Sequence, residues 1–262
     1  MTRYGFVLWT SARQQWVYRS EMVARGIQMV LFMGVFMALW TTAYSVSGRT
    51  ELEGYSLAEM VWYLAMTETI VLSTSRIFVE ISESVKAGDL AYTLARPLSY
   101  PFFQVANSLG GSAPRLLLNL LAGSAVVALG MRQFAGSLPG LVAFFGVAAL
   151  ALLLDALIAV LIGLTAFWIE EVWPIYWIYS KLLFTVGGLF LPLEVFPEPL
   201  REVVRWLPFP FMTYAPARTF VKFEPDFVVQ AATGQVLYII LFAAVVMVVW
   251  RQAQRRMVVH GG

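Results

Sequence analysis

The sequence contains no cysteine, so disulfides, thiolate nucleophiles and cysteine-based metal sites are excluded. Histidine occurs once, at His260, where a disordered tail rather than a ligand role is expected. Charge is scarce. Asp, Glu, Lys and Arg make up 13% of 262 residues, about half the share in a soluble domain. No G-x-x-x-x-G-K-[ST] run occurs, so the chain lacks the loop that cradles a nucleotide phosphate. The net charge of +2 says little by itself, and nothing in that balance points to a nucleic-acid partner. What fills the chain is apolar: 60% of residues are hydrophobic and the mean hydropathy is +0.73. That balance identifies an integral membrane protein.

The apolar runs predict an all-α polytopic fold, a single transmembrane domain over residues 1–262. Six membrane-crossing helices are expected over residues 27–46, 57–79, 102–131, 139–168, 174–191 and 233–250. Each approaches the roughly 20 residues that cross a hydrocarbon core of about 30 Å. Residues 1–25 are too charged to cross. Leu8, Trp9, Ala12 and Trp16 recur at helical spacing, with Arg3, Arg13 and Gln14 elsewhere, which predicts an interfacial helix with no cleaved signal. Residues 47–56 read as a short polar loop. Residues 192–227 are a long Pro-rich connection.

Eleven of the eighteen Lys and Arg residues fall on the side of the N-terminus: Arg3, Arg13, Arg19, Arg25, Arg76, Lys86, Arg96, Arg115, Arg251, Arg255 and Arg256. Six fall on the other side, and Lys181 sits near mid-depth or in the half toward the N-terminal side. The bias places both termini in the cytoplasm.

The longest polar interruption of the first half is residues 80–100, EISESVKAGDLAYTLARPLSY. Gly88 can take the left-handed conformation that ends a helix. Asp89 can cap the next one, and Pro97 discourages its continuation. A short helix across the cytoplasmic end of the second crossing is expected, with Leu90, Tyr92 and Leu94 offering apolar or aromatic contacts. Glu80, Glu83, Lys86, Asp89 and Arg96 offer charges that fix register with a partner.

The run Gly88-Asp89-Leu90, then Leu94 and Arg96-Pro97-Leu98-Ser99, resembles the cytoplasmic loop of type 2 ATP-binding cassette (ABC) exporter permeases. The N-terminal helix is similar to that family's elbow helix. Residues 187–216, GGLFLPLEVFPEPLREVVRWLPFPFMTYAP, are similar to its outer segment between spans five and six. The closest likeness is to short six-span permeases that often pair two different chains. The resemblance implies that residues 80–100 hold a coupling helix gripped by a separate ATPase subunit. It implies a dimer of permease chains, like or unlike, in a prokaryotic cytoplasmic membrane. ATP and Mg would be bound by the partner, with no cofactor in this chain and no catalytic or metal site. Lys86 and Arg96 stand where many members carry a richer Arg/Glu cluster.

Two further groups are candidates. Leu200, Val203, Val204 and Leu207 recur at i, i+3, i+4, i+7, with Arg201, Glu202 and Arg205 elsewhere, which predicts a short helix at the outer leaflet acting as a gate. Glu68, Arg115, Asp155 and Lys181 interrupt apolar runs, so they are expected to face the bundle interior, water or one another. They read either as lining a translocation path or as structural pairs. Trp62, Tyr63, Trp173, Tyr176, Trp177 and Tyr179 read as interfacial belt or helix packing. Two other classes remain: a proton-coupled secondary transporter using Glu68 and Asp155, and an integral membrane enzyme acting on lipid.

Overall fold

The computed structural model describes residues 3–15, 19–88 and 98–260, and the described chain is almost wholly helical. In order, the helices are α1 (Arg3–Gln15), α2 (Arg19–Ser47), α3 (Leu57–Val71), α4 (Ile77–Lys86), α5 (Tyr100–Met131), α6 (Leu138–Leu164), α7 (Trp173–Val186), α8 (Glu198–Val204), α9 (Pro208–Met212), α10 (Tyr214–Val221) and α11 (Pro225–His260). The loop expected at 47–56 contains a small antiparallel hairpin, β1 (Glu51–Leu52) and β2 (Tyr55–Ser56), in which Glu51 pairs with Ser56. Glu53 and Gly54 take φ of 48° and 78° there, the left-handed pair of a tight hairpin turn.

Local chemistry sets several boundaries. Ser56 accepts from the Glu59 amide at 3.3 Å while the Glu59 carboxylate accepts from the Ser56 amide at 2.8 Å, a reciprocal cap that starts α3. Ser137 accepts from the Gly140 amide at 3.0 Å and starts α6. Gly88, with φ of 74°, follows the end of α4.

Among the described residues, four helices are long and apolar enough to cross a membrane: Met22–Ser47, Tyr100–Met131, Leu138–Phe167 and Pro225–Arg256. Two of the six expected crossings differ in form from a single long helix. The second is not one helix over 57–79. It stops at Val71 and restarts at Ile77, leaving pieces of 15 and 10 residues. The cause lies in residues 72–76, where hydroxyls and guanidiniums take over the backbone carbonyls. Thr74 Oγ1 donates to Val71 O at 2.9 Å, and Arg25 Nη1 donates to Leu72 O at 2.9 Å. Asn119 Nδ2 donates to the Ser73 hydroxyl at 3.0 Å. The fifth, expected over 174–191, is a helix of 14 residues, about 21 Å long. It ends at Gly187, and Gly188 takes φ of 78°.

The last helix is longer than expected. It begins at Pro225, tolerated where no helical N–H is needed, and runs through His260, so the C-terminal residues up to His260 are helical rather than disordered. The connection over 192–227 is likewise more helical than expected, because Pro208 opens α9 instead of only closing the helix before it.

Helix α6 is the centre of the bundle. It packs against α4, α5, α10 and α11. One core cluster gathers Trp62, Met66, Phe144 and Phe220; a second gathers Ile81, Val160, Leu164 and Trp250. Glycines permit the closest approaches. A Cβ on Gly163 of α6 would lie 2.8 Å from Ile81 Cβ of α4. Met29 and Met37 of α2 set their methyl ends directly over Gly123 and Gly130 of α5. The bundle has two ends. At one, Tyr100 stacks on Trp250 with ring centroids 5.1 Å apart, and Arg256 Nη1 donates to Phe167 O at 3.0 Å. Helix α1 lies against this end of α5, so both chain ends gather here. At the other end, Lys222 Nζ donates to Gly54 O at 2.6 Å and Trp62 Nε1 to Gln133 O at 2.9 Å.

Candidate functional site

A cavity of about 440 Å³ opens between α2, the α3–α4 break and α7. Three of the four expected intramembrane charges line it: Glu68 from α3, Asp155 from α6 and Lys181 from α7. Glu68 is 3% exposed, and its carboxylate has no hydrogen-bond or ion-pair partner among the described residues. Asp155 is also buried, and its Oδ1 accepts from the Tyr179 hydroxyl at 2.6 Å. Lys181 is exposed, with Nζ 6.0 Å from the centroid of the Trp177 ring. Arg25 and Arg76 border the same space, as do Phe32, Phe36, Trp173 and Tyr176.

Arg115 is elsewhere. It sits where α1, α4 and α5 meet, with Nε donating to Gln15 Oε1 at 3.1 Å. Its neighbours form a polar seam: Ser11 Oγ donates to Asn107 Oδ1 at 2.6 Å, and Asn107 Nδ2 to Glu80 Oε2 at 3.3 Å. Helix α1 meets α5 through a small residue, and its apolar residues stay open. The buried residue of α1 is Ser11; Leu8 and Trp9 are exposed. Gly110 of α5 is the reason, since a Cβ there would lie 2.7 Å from Ser11 Cβ, so only small side chains fit the contact. Trp16 lies outside the described residues.

The expected coupling residues divide. Asp89, Leu90, Tyr92, Leu94 and Arg96 lie outside the described residues. Helix α4, which leads to them, is described and buries Ile77, Phe78 and Ile81. Glu83, Lys86 and Gly88 are exposed beyond that buried face. Lys86 Nζ lies 3.7 Å from Glu171 Oε2, joining α4 to the turn between α6 and α7.

At the hairpin end, the four apolar residues expected as a gate do not share one environment. Val204 is buried and Leu207 half-buried, whereas Leu200 and Val203 are exposed. Behind them is a network not foreseen from the sequence. Arg218 Nε donates to Glu194 Oε1 at 3.1 Å, the Tyr214 hydroxyl donates to the same oxygen at 2.8 Å, and Arg218 Nη2 pairs with Glu224 at 3.2 Å. The guanidinium also lies 3.9 Å from the centroid of the Phe227 ring. Burial, and then the Glu194 charge, push the Tyr55 and Tyr214 hydroxyls well above the ordinary phenol range, so both stay neutral and Tyr214 keeps its proton to donate. Glu194 and Arg218 are 24 residues apart, and no local spacing announces such a pair.

The aromatic residues also separate. Trp62 and Tyr63 are packed in the core, with the Tyr63 hydroxyl donating to Gly188 O, and Tyr176 stacks on Phe78 at 4.1 Å. Trp177 is exposed. Among the described residues, no group of three or more His, Cys, Asp and Glu is placed to hold a metal ion.

The family model described as ABC-2 family transporter protein matches residues 29–261. No curated protein matches the chain.

Proposed function

The chain belongs to the ABC-2 family of transporter proteins, and from that premise we propose that it is the permease subunit of an ATP-driven exporter. A second permease chain, like or unlike, would complete the path, and two separate ATPase subunits would bind ATP and Mg. The observation that carries this reading is α4. It follows the broken second crossing, packs its apolar face on α6 across Gly163, and brings the chain to Gly88, the last described residue before the expected coupling helix. A segment that receives a push passes it on only if its neighbour is rigidly packed, and α4 is. With both termini cytoplasmic, as the distribution of Lys and Arg favours, the end of the bundle that gathers them faces a soluble ATPase. On this reading α1 is the elbow helix, and α3–α4 and α7 with its following segment complete six crossings. The cavity holding Glu68 and Asp155 is part of the path, and α8–α10 cap it from outside.

The test is recovery of the intact protein from its native membranes. An ABC ATPase co-purifies, and Gly88→Val or Leu90→Arg lowers ATP turnover without loss of the permease. Recovery of no ATPase, or turnover indifferent to both substitutions, overturns the reading. Transport into vesicles that depends on a proton gradient alone would instead assign Glu68 and Asp155 to a proton-driven carrier.

A further inference from the structure

The Glu68 cavity has an uneven distribution of charge. Its two acids are buried, and one of them has no partner among the described residues. Two of its bases, Arg76 and Lys181, are exposed. Between these lie aromatic faces, among them Phe36, Tyr176 and Trp177. A carboxylate without a partner is costly inside a membrane and marks a site by default. A discontinuous crossing beside it strengthens the case, because broken helices gather at ligand sites in transporters. Helix α3 ends at this cavity, where Val71, Leu72 and Thr74 contribute to the wall.

A purely anionic ligand satisfies the bases but leaves both acids bare. A purely cationic one satisfies the acids and rings but meets two cations on entry. We infer that the cavity binds a zwitterionic amphiphile, with its ammonium group toward Glu68 and Asp155 and its anionic group at Arg76 and Lys181. The ammonium gains two carboxylates and ring faces together, the combination that recognises alkylammonium groups. The apolar body leaves between α2 and α7, past the exposed Phe32 and Trp177. As a transport substrate this ligand rests on the permease reading; as a bound ligand it does not, and the test uses no ATPase.

The purified full chain is titrated in detergent with four probes and examined by native mass spectrometry. They are lysophosphatidylethanolamine, lysophosphatidylglycerol of the same chain length, an alkyltrimethylammonium and chainless phosphoethanolamine. The first binds tightest. Glu68→Gln, which keeps the side-chain shape, weakens it at least tenfold and leaves the glycerol lipid unchanged. Lys181→Gln weakens both phospholipids. Equal binding of the two phospholipids, or no effect of Glu68→Gln in a protein with an unchanged melting temperature, overturns the inference. Equal binding of the alkylammonium removes the anionic requirement, and equal binding of phosphoethanolamine removes the apolar one; either overturns the class. If Glu68→Gln does not fold, Lys181→Gln decides: indifference to it sinks the assignment.

Discussion

At the residue scale, the buried polar pairs carry the clearest consequences. Tyr179→Phe removes the one donor seen on Asp155 and leaves that carboxylate bare. A loss of about 1 kcal/mol is expected, seen as a lower melting temperature in detergent, and Asp155→Asn should partly restore it in the double variant. Arg218 and Glu194 form a stronger case. Arg218→Met leaves Glu194 mostly buried beside two neutral phenols, at a cost of about 3 kcal/mol or more. Adding Glu194→Met should recover much of that, because two apolar groups replace two charges; thermal unfolding of the four proteins checks it. The burial of Glu68 and Asp155 was legible from their apolar flanks. Arg115 reads the same way in sequence, yet its long stem carries the guanidinium to the seam with α1. The Glu194–Arg218 pair was not legible, since tertiary folding of a loop brings its members together.

At the element scale, the long apolar helices α5 and α6 lie within two residues of their expected starts, because each opens a long apolar run behind a proline, and Ser137 caps α6. The break at 72–76 was hidden. Ser and Thr barely lower the hydropathy of a run, and their competition for backbone carbonyls appears only when Arg25 and Asn119 arrive from other helices. The start of α11 was missed for the opposite reason: Pro225, Asp226 and Gln230 look like loop, yet proline and an acid suit a helix's first turn. The contact between α4 and α6 gives an element-scale prediction. Gly163→Val places a branched side chain where Ile81 already sits, and overpacking costs about 1–3 kcal/mol. If α4 transmits force, the variant binds its ATPase but loses coupling, so ATP turnover persists while transport falls. Equal loss of both would assign Gly163 to stability alone.

At the scale of the whole molecule, the two ends of the bundle differ in what they hold. One carries both chain ends and the Lys86–Glu171 contact; the other carries the hairpin and the Arg218 network. The proposed orientation, which follows the positive bias in the sequence, puts the first in the cytoplasm. Because the chain has no cysteine, each single substitution reports alone. Arg49→Cys should react with an impermeant maleimide in intact cells, and Arg255→Cys only after permeabilisation; the reverse pattern would invert the molecule. The order of the four long apolar helices was legible from their hydropathy. The shape of the cavity was not, because it depends on where α7 stops, and that stop is set by Gly188 meeting Tyr63 from a distant helix.

The seam between α2 and α5 has a chemical weakness of its own. Thioether tips rest in notches left by Gly123 and Gly130, which leave no room for another atom. Hypochlorous acid or peroxide would add an oxygen to sulfur and turn each wedge polar and larger. Bleach-stressed cells should therefore lose this protein through the parting of its first long helix, and Met29→Leu with Met37→Leu should spare it.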